Sequence, residues 1–139
     1  MMKMTPKQYL SQALDADKEI NRKIDRLADL YADCTKSTSV LTLTPGGSYD
    51  DRAFENRMAK YLQLRDEINA DIDRLVDLKM EIMKVIDAVP NEDCRSVLEK
   101  HFLQGKSYTV IGNEMVYHKD TVYNMAKKAL KQIKIPDKY

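Results

Sequence analysis

The chain has 139 residues, 32% of them charged, with only four glycines and four prolines, a helix-favouring composition that suits one domain or two small ones. No run approaches the roughly 18 apolar residues of a membrane span, and the start MMKMTPKQYL lacks the apolar core of a secretory signal, so a cytoplasmic protein with no membrane partner is expected. Cys34 and Cys94 have neither a CxxC nor a nearby His pair, which points to core thiols rather than a disulfide framework or a metal site.

Thr5-Pro6 reads as an N-cap followed by proline in the first turn. The helix it opens should run to about Cys34. Its seam is Leu10, Ala13, Asp17, Ile20, Ile24, Leu27, Tyr31 and Cys34, at alternating three- and four-residue steps. Only Asp17 breaks the apolar series. Residues 35–50, TKSTSVLTLTPGGSYD, replace helix formers with Thr, Ser, Pro and Gly. A loop is expected there, with Val40, Leu41 and Leu43 tucked over the end of the helices in preference to a short strand.

A second long helix should start at Asp50 or Asp51 and end near Val89. Its seam is Phe54, Met58, Tyr61, Arg65, Ile68, Ile72, Leu75, Lys79, Ile82, Ile86 and Val89, and about 40 residues at 1.5 Å each make a rod of roughly 60 Å. Leu62, Leu64, Val76, Leu78, Met83 and Val85 flank that seam. This apolar surface is wider than one partner helix covers, which implies further helices from a second copy or from the rest of the chain. In an antiparallel hairpin with Cys34 level with Arg52, Asp17 comes within a turn of Arg65, and an ion pair between them is expected. Glu19-Ile20-Asn21 with Ile24-Asp25-Arg26-Leu27 nearly repeats as Glu67-Ile68-Asn69 with Ile72-Asp73-Arg74-Leu75. Duplication and shared seam demands explain this equally well.

Pro90 should end the second helix and mark a domain boundary. Asn91 can cap a third helix, with Cys94, Val97, Leu98, His101 and Phe102 inward and Gly105 as its terminator. His101 reads as a partly buried structural residue, since no nucleophile or carboxylate is placed for it. Ser107 can cap a helix from Tyr108 to Met115. After Val116-Tyr117-His118, a last helix should run from Lys119 to about Ile133, before Ile135-Pro136 and a fraying Asp137-Lys138-Tyr139. Inward residues of this pair are Ile111, Gly112, Met115, Val122, Met125, Ala126, Ala129, Leu130 and Ile133. Gly112 is the small residue that admits close backbone approach. His118 is equally suited to cap the last helix or to contact phosphate.

This is the spacing of a helix-turn-helix, whose second helix enters the DNA major groove. Its outward face carries Lys119, Asp120, Thr121, Tyr123, Asn124, Lys127, Lys128 and Lys131. Lys119, Asp120, Tyr123 and Asn124 are the candidates for base reading, and Lys127, Lys128 and Lys131 for phosphate contact. Charge is divided accordingly: Arg95–Tyr139 holds nine Lys/Arg against four Asp/Glu, a net of +5, and the remainder of the 23 basic and 22 acidic residues gives the first 94 residues a net of −4.

Arg95-Ser96-Val97-Leu98, Gly105, Ile111-Gly112, Val122 and Ala129-Leu130 resemble the fourth region of bacterial sigma factors. The whole chain also resembles small prophage proteins of Gram-positive bacteria, on the run Asn69–Lys79, NADIDRLVDLK, ahead of such a module. Some relatives of that layout are late-gene transcription activators of phages. The resemblance implies a module that docks on promoter DNA and touches RNA polymerase. Three positions depart from the pattern: Val116 stands where glycine is usual, His118 where serine caps, and Val110 where glutamate precedes the Ile-Gly pair. If Val116 must adopt positive φ, a β-branched residue there is strained.

The expected architecture is all-α: a long antiparallel, coiled-coil-like hairpin over residues 1–90, then a three-helix, sigma-region-four-like module over residues 91–139. The expected function is phage-type transcription regulation, with double-stranded DNA as partner and the hairpin serving self-association, as a dimer, or RNA polymerase contact. A packaging oligomer of the small-terminase kind and a protein-binding adaptor are the alternatives. Enzyme activity and cofactors are not expected, because no nucleophile–base pair, metal spacing or phosphate loop is present.

Overall fold

The computed structural model describes residues 3–42 and 51–139, and the secondary structure there is helical throughout, without strands. The helices are α1 (Pro6–Thr42), α2 (Asp51–Asp87), α3 (Glu92–Leu98), α4 (Tyr108–Met115) and α5 (Lys119–Leu130), with a π-helical turn at Glu99–Leu103 following α3. Among the described residues, no helix is long and apolar enough to cross a membrane.

Local sequence explains most of the boundaries. Thr5 Oγ1 accepts from Gln8 N at 3.2 Å and Gln8 Oε1 accepts from Thr5 N at 3.0 Å, a reciprocal capping box that opens α1. α1 then runs eight residues past Cys34, to Thr42. Val40 and Leu41 are therefore helical, not looped or extended. Thr and Ser cost a helix only about 0.5 kcal/mol each relative to Ala, too little to stop one that is already propagating. Leu43 and the Pro45-Gly46-Gly47 break lie outside the described residues, as does Asp50, one of the two candidate caps of α2.

The chain divides into two units, Lys18–Arg74 and Met1–Asp17 with Leu75–Tyr139. In the first, α1 and α2 run antiparallel: Lys23 Nζ donates to Asp71 Oδ2 at 2.7 Å, and the Tyr31 and Tyr61 rings lie 5.8 Å apart. Ile20, Cys34 and Ile68 are buried there. The expected register would have put Lys23 opposite Gln63 and Tyr31 opposite Glu55, so the pairing is displaced by six to eight residues. The cause is the longer α1: its arm ends at Thr42 rather than Cys34, so every level on α2 moves towards its C-terminus. The expected Asp17–Arg65 pairing falls with that register. Arg65 instead bonds the adjacent Asp66, Nη2 to Oδ1 at 3.2 Å.

In the second unit, Tyr9, Leu10, Ala13, Ile82, Ile86 and Val89 are buried. Asn91 Oδ1 accepts from Cys94 N at 3.1 Å and caps α3. Arg95 Nη1 donates to the Val89 carbonyl at 2.8 Å, fastening α3 to the end of α2. The third helix was expected to continue as α to Gly105, but it widens into a π turn at Glu99. Gly105, at φ 73°, ends the segment. The C-terminus does not fray as expected. Glu81 gathers it in: Lys138 Nζ lies 2.7 Å from Oε1, and the hydroxyls of Tyr139 and Tyr9 donate to Oε2 at 3.1 and 2.8 Å. The Tyr9 and Tyr139 rings meet edge to face at 5.2 Å.

Candidate nucleic-acid interface

Ser107 Oγ accepts from Val110 N at 3.3 Å and opens α4, and His118 Nδ1 accepts from Asp120 N at 3.2 Å and opens α5. The geometry thus shows the capping role read for His118. Between the helices, Val116 takes the left-handed conformation, φ 61° and ψ 45°, with its side chain 88% exposed. The N–H of Tyr117 donates to the Gly112 carbonyl at 2.9 Å and closes the turn. Gly112 is buried where a Cβ would stand 2.6 Å from the Tyr117 carbonyl oxygen, so only glycine fits.

Val97, Ile111, Val122 and Ala126 form the buried centre of α3, α4 and α5, with Tyr108, Met115 and Met125 packed on it. Ala129 and Ile133 are buried beside it. α5 ends at Leu130 rather than Ile133. Its last turn tightens, with Gln132 N donating to the Ala129 carbonyl and Ile133 N to that of Leu130.

All eight predicted contact residues are exposed: Lys119, Asp120, Thr121, Tyr123, Asn124, Lys127 and Lys128 on α5, and Lys131 at its C-cap. At about 100° per residue all of these except Lys119 occupy the half of the helix opposite Val122, Ala126 and Ala129, while Lys119 projects from the first turn on the side of Ala126. Tyr123 stands edge-on to the Tyr108 ring at 5.6 Å, and Lys127 Nζ lies 5.7 Å from the Tyr123 centroid. Tyr108 in turn stacks on His101 at 4.2 Å. His101 Nδ1 donates to the Lys106 carbonyl at 2.8 Å, consistent with the structural role read for it. The sequence pattern did not single out Tyr108 as a support for Tyr123, because the contact joins two helices across the turn.

Charge is redistributed relative to the bare count. Glu114 Oε1 lies 2.7 Å from Lys106 Nζ and Oε2 lies 2.9 Å from Lys100 Nζ. These bonds, that from Lys106 first, hold the Glu114 carboxyl below its ordinary range. Tyr117 donates its hydroxyl proton to Asp93 at 2.8 Å, which raises the phenol and ties the turn to α3. Lys119, Lys127, Lys128, Lys131 and Lys134 make no ion pair among the described residues. Lys134 is an exposed cation that helical spacing alone did not include, since it lies beyond α5.

Comparison with curated proteins and with solved structures found no match in either set. Residues 46–134, which include α2, α3, α4 and α5, match a protein family, and on that match the chain belongs to the family described as Protein of unknown function (DUF1492).

Proposed function

We propose that this chain is a phage- or prophage-type transcription regulator that acts in the cytoplasm and binds double-stranded DNA through α4 and α5, used as a sigma-region-four-like helix-turn-helix. In this reading residues 91–139 are the DNA module, and residues 1–90, as a long hairpin, serve self-association or RNA polymerase contact. The observation that carries it is the division of α5: Val122, Ala126 and Ala129 are buried, while Lys119, Tyr123, Asn124, Lys127 and Lys128 are exposed together. A recognition helix needs that division, with base-reading groups near its start and cations further along for phosphates. Five lysines that make no ion pair among the described residues can each meet a phosphate, so affinity should fall as salt rises, by about 0.9 in log–log slope per contact.

The test is selection of bound sequences from random duplex DNA by the full chain, at stated salt. A recurring motif in the enriched pool is the expected result. A pool that keeps the input composition, with no salt-sensitive retention of DNA, would overturn the reading.

A further inference from the structure

α2 carries a second apolar face besides the one it buries. Leu75, Ile82 and Ile86 are buried, whereas Val76, Met80 and Met83 are 51%, 56% and 40% exposed. These three fall within an arc of about 60° on the helix, roughly 100° from the buried row. Scattered exposed apolar residues are ordinary, but a contiguous stripe on one helix face is the signature of a covered surface. Asp77 and Lys84, seven residues apart, sit on one flank of the stripe, and neither makes an ion pair among the described residues.

We propose that this face of α2 is the interface with a second copy of the chain, paired antiparallel about a two-fold axis through Met80. The occupant follows from self-complementarity. With Met80 opposite its own copy, Val76 comes level with Met83 of the second copy to within one residue, about 1.5 Å along the axis. Asp77 likewise comes level with the second copy's Lys84, and the two-fold repeats both matches. The apolar centre is thus bounded at each end by an opposite-charge pair, as an isologous contact requires. A parallel two-fold pairing would instead carry the flank bearing Asp77 and Lys84 to opposite sides of the contact in the two copies, with no opposite-charge match. The proposal rests on the self-association read for residues 1–90 and gives it a surface, and it is tested without DNA, so its failure leaves the DNA-binding reading standing.

The measurement is the solution mass of the full chain by light scattering, over a concentration series. A species of twice the 16.1 kDa chain is expected. Met80→Glu should give a monomer with unchanged helical content, because the side chain is exposed and leaves the fold alone. Asp77→Lys or Lys84→Asp alone should weaken association by about tenfold, since each reversal sets like charges at both ends. The double reversal should restore it. Met80→Cys should form an intermolecular disulfide under mild oxidation, as the position lies on the axis. A monomeric wild type, a dimer indifferent to Met80→Glu, or a double reversal no better than the singles would overturn the proposal, and so would a failure of Met80→Cys to cross-link.

Discussion

Gly112 and Tyr117 meet where α4 gives way to α5: a side-chain carbon on Gly112 would lie 2.6 Å from the Tyr117 carbonyl oxygen, which no rotamer change can relieve because the opposing atom is backbone. Gly→Ala inside a helix ordinarily stabilises by about 0.5–1 kcal/mol. Here the sign is expected to reverse. Gly112→Ala should destabilise by about 1–3 kcal/mol, as overpacking does, read as a lower urea midpoint at constant m.

Val116 offers the opposite case. It holds φ 61° with its side chain exposed, so its left-handed conformation is uncompensated by packing. Non-glycine residues lose roughly 1–2 kcal/mol in that region, and glycine loses part of the gain to unfolded-state entropy. Val116→Gly should therefore raise stability by about 1 kcal/mol, seen as a higher Tm. An unchanged Tm would mean that the turn is not held left-handed in solution.

On the exposed face of α5, Asn124 and Lys128 should separate specificity from affinity. Asn124→Ala should lose about 1–3 kcal/mol of discrimination at one base pair, measured by competition between the selected site and point variants. Lys128→Ala should weaken all sequences alike and reduce the log–log salt slope by about 0.9. Equal behaviour of the two variants would remove the division of roles.

Glu114 ties α4 to the π turn and to the loop after it through Lys106 and Lys100. Its carboxyl is held below the ordinary glutamate value of 4.5, chiefly by the Lys106 bond. The sign follows directly. A group depressed in the folded state adds stability above its unfolded value and loses it as pH falls through the folded value. Wild type should therefore exceed Glu114→Gln in unfolding midpoint at neutral pH. The advantage should shrink only below the ordinary glutamate range, in a pH series of denaturant titrations.

Glu81 organises the chain's last residues. Burial raises its carboxyl, but the bonds from Lys138, Tyr9 and Tyr139 outweigh that and leave it lowered. Glu81→Ala strands the hydroxyl of fully buried Tyr9 and should cost about 1–3 kcal/mol. In a Tyr9→Phe background the same change should cost less, and the thermodynamic cycle measures the difference.

Much of the C-terminal half was legible from spacing, because short helices leave local marks. Ser107 and Asn91 announced their caps, Val122, Ala126 and Ala129 announced the buried row of α5, and Gly112 announced the close approach. Burial of a residue on a short helix depends on a period of three or four, which the chain itself writes down. What only tertiary structure decided is whatever depends on comparing distant segments. The level at which Lys23 meets Asp71 hung on where α1 stops, eight residues beyond its last seam position, and helix propensity barely distinguishes Thr35 from Thr42. The pairing of Lys100 and Lys106 with Glu114, and the capture of Lys138 and Tyr139 by Glu81, likewise left no periodic trace, because an ion pair between elements is fixed by their approach in space and not by separation along the chain.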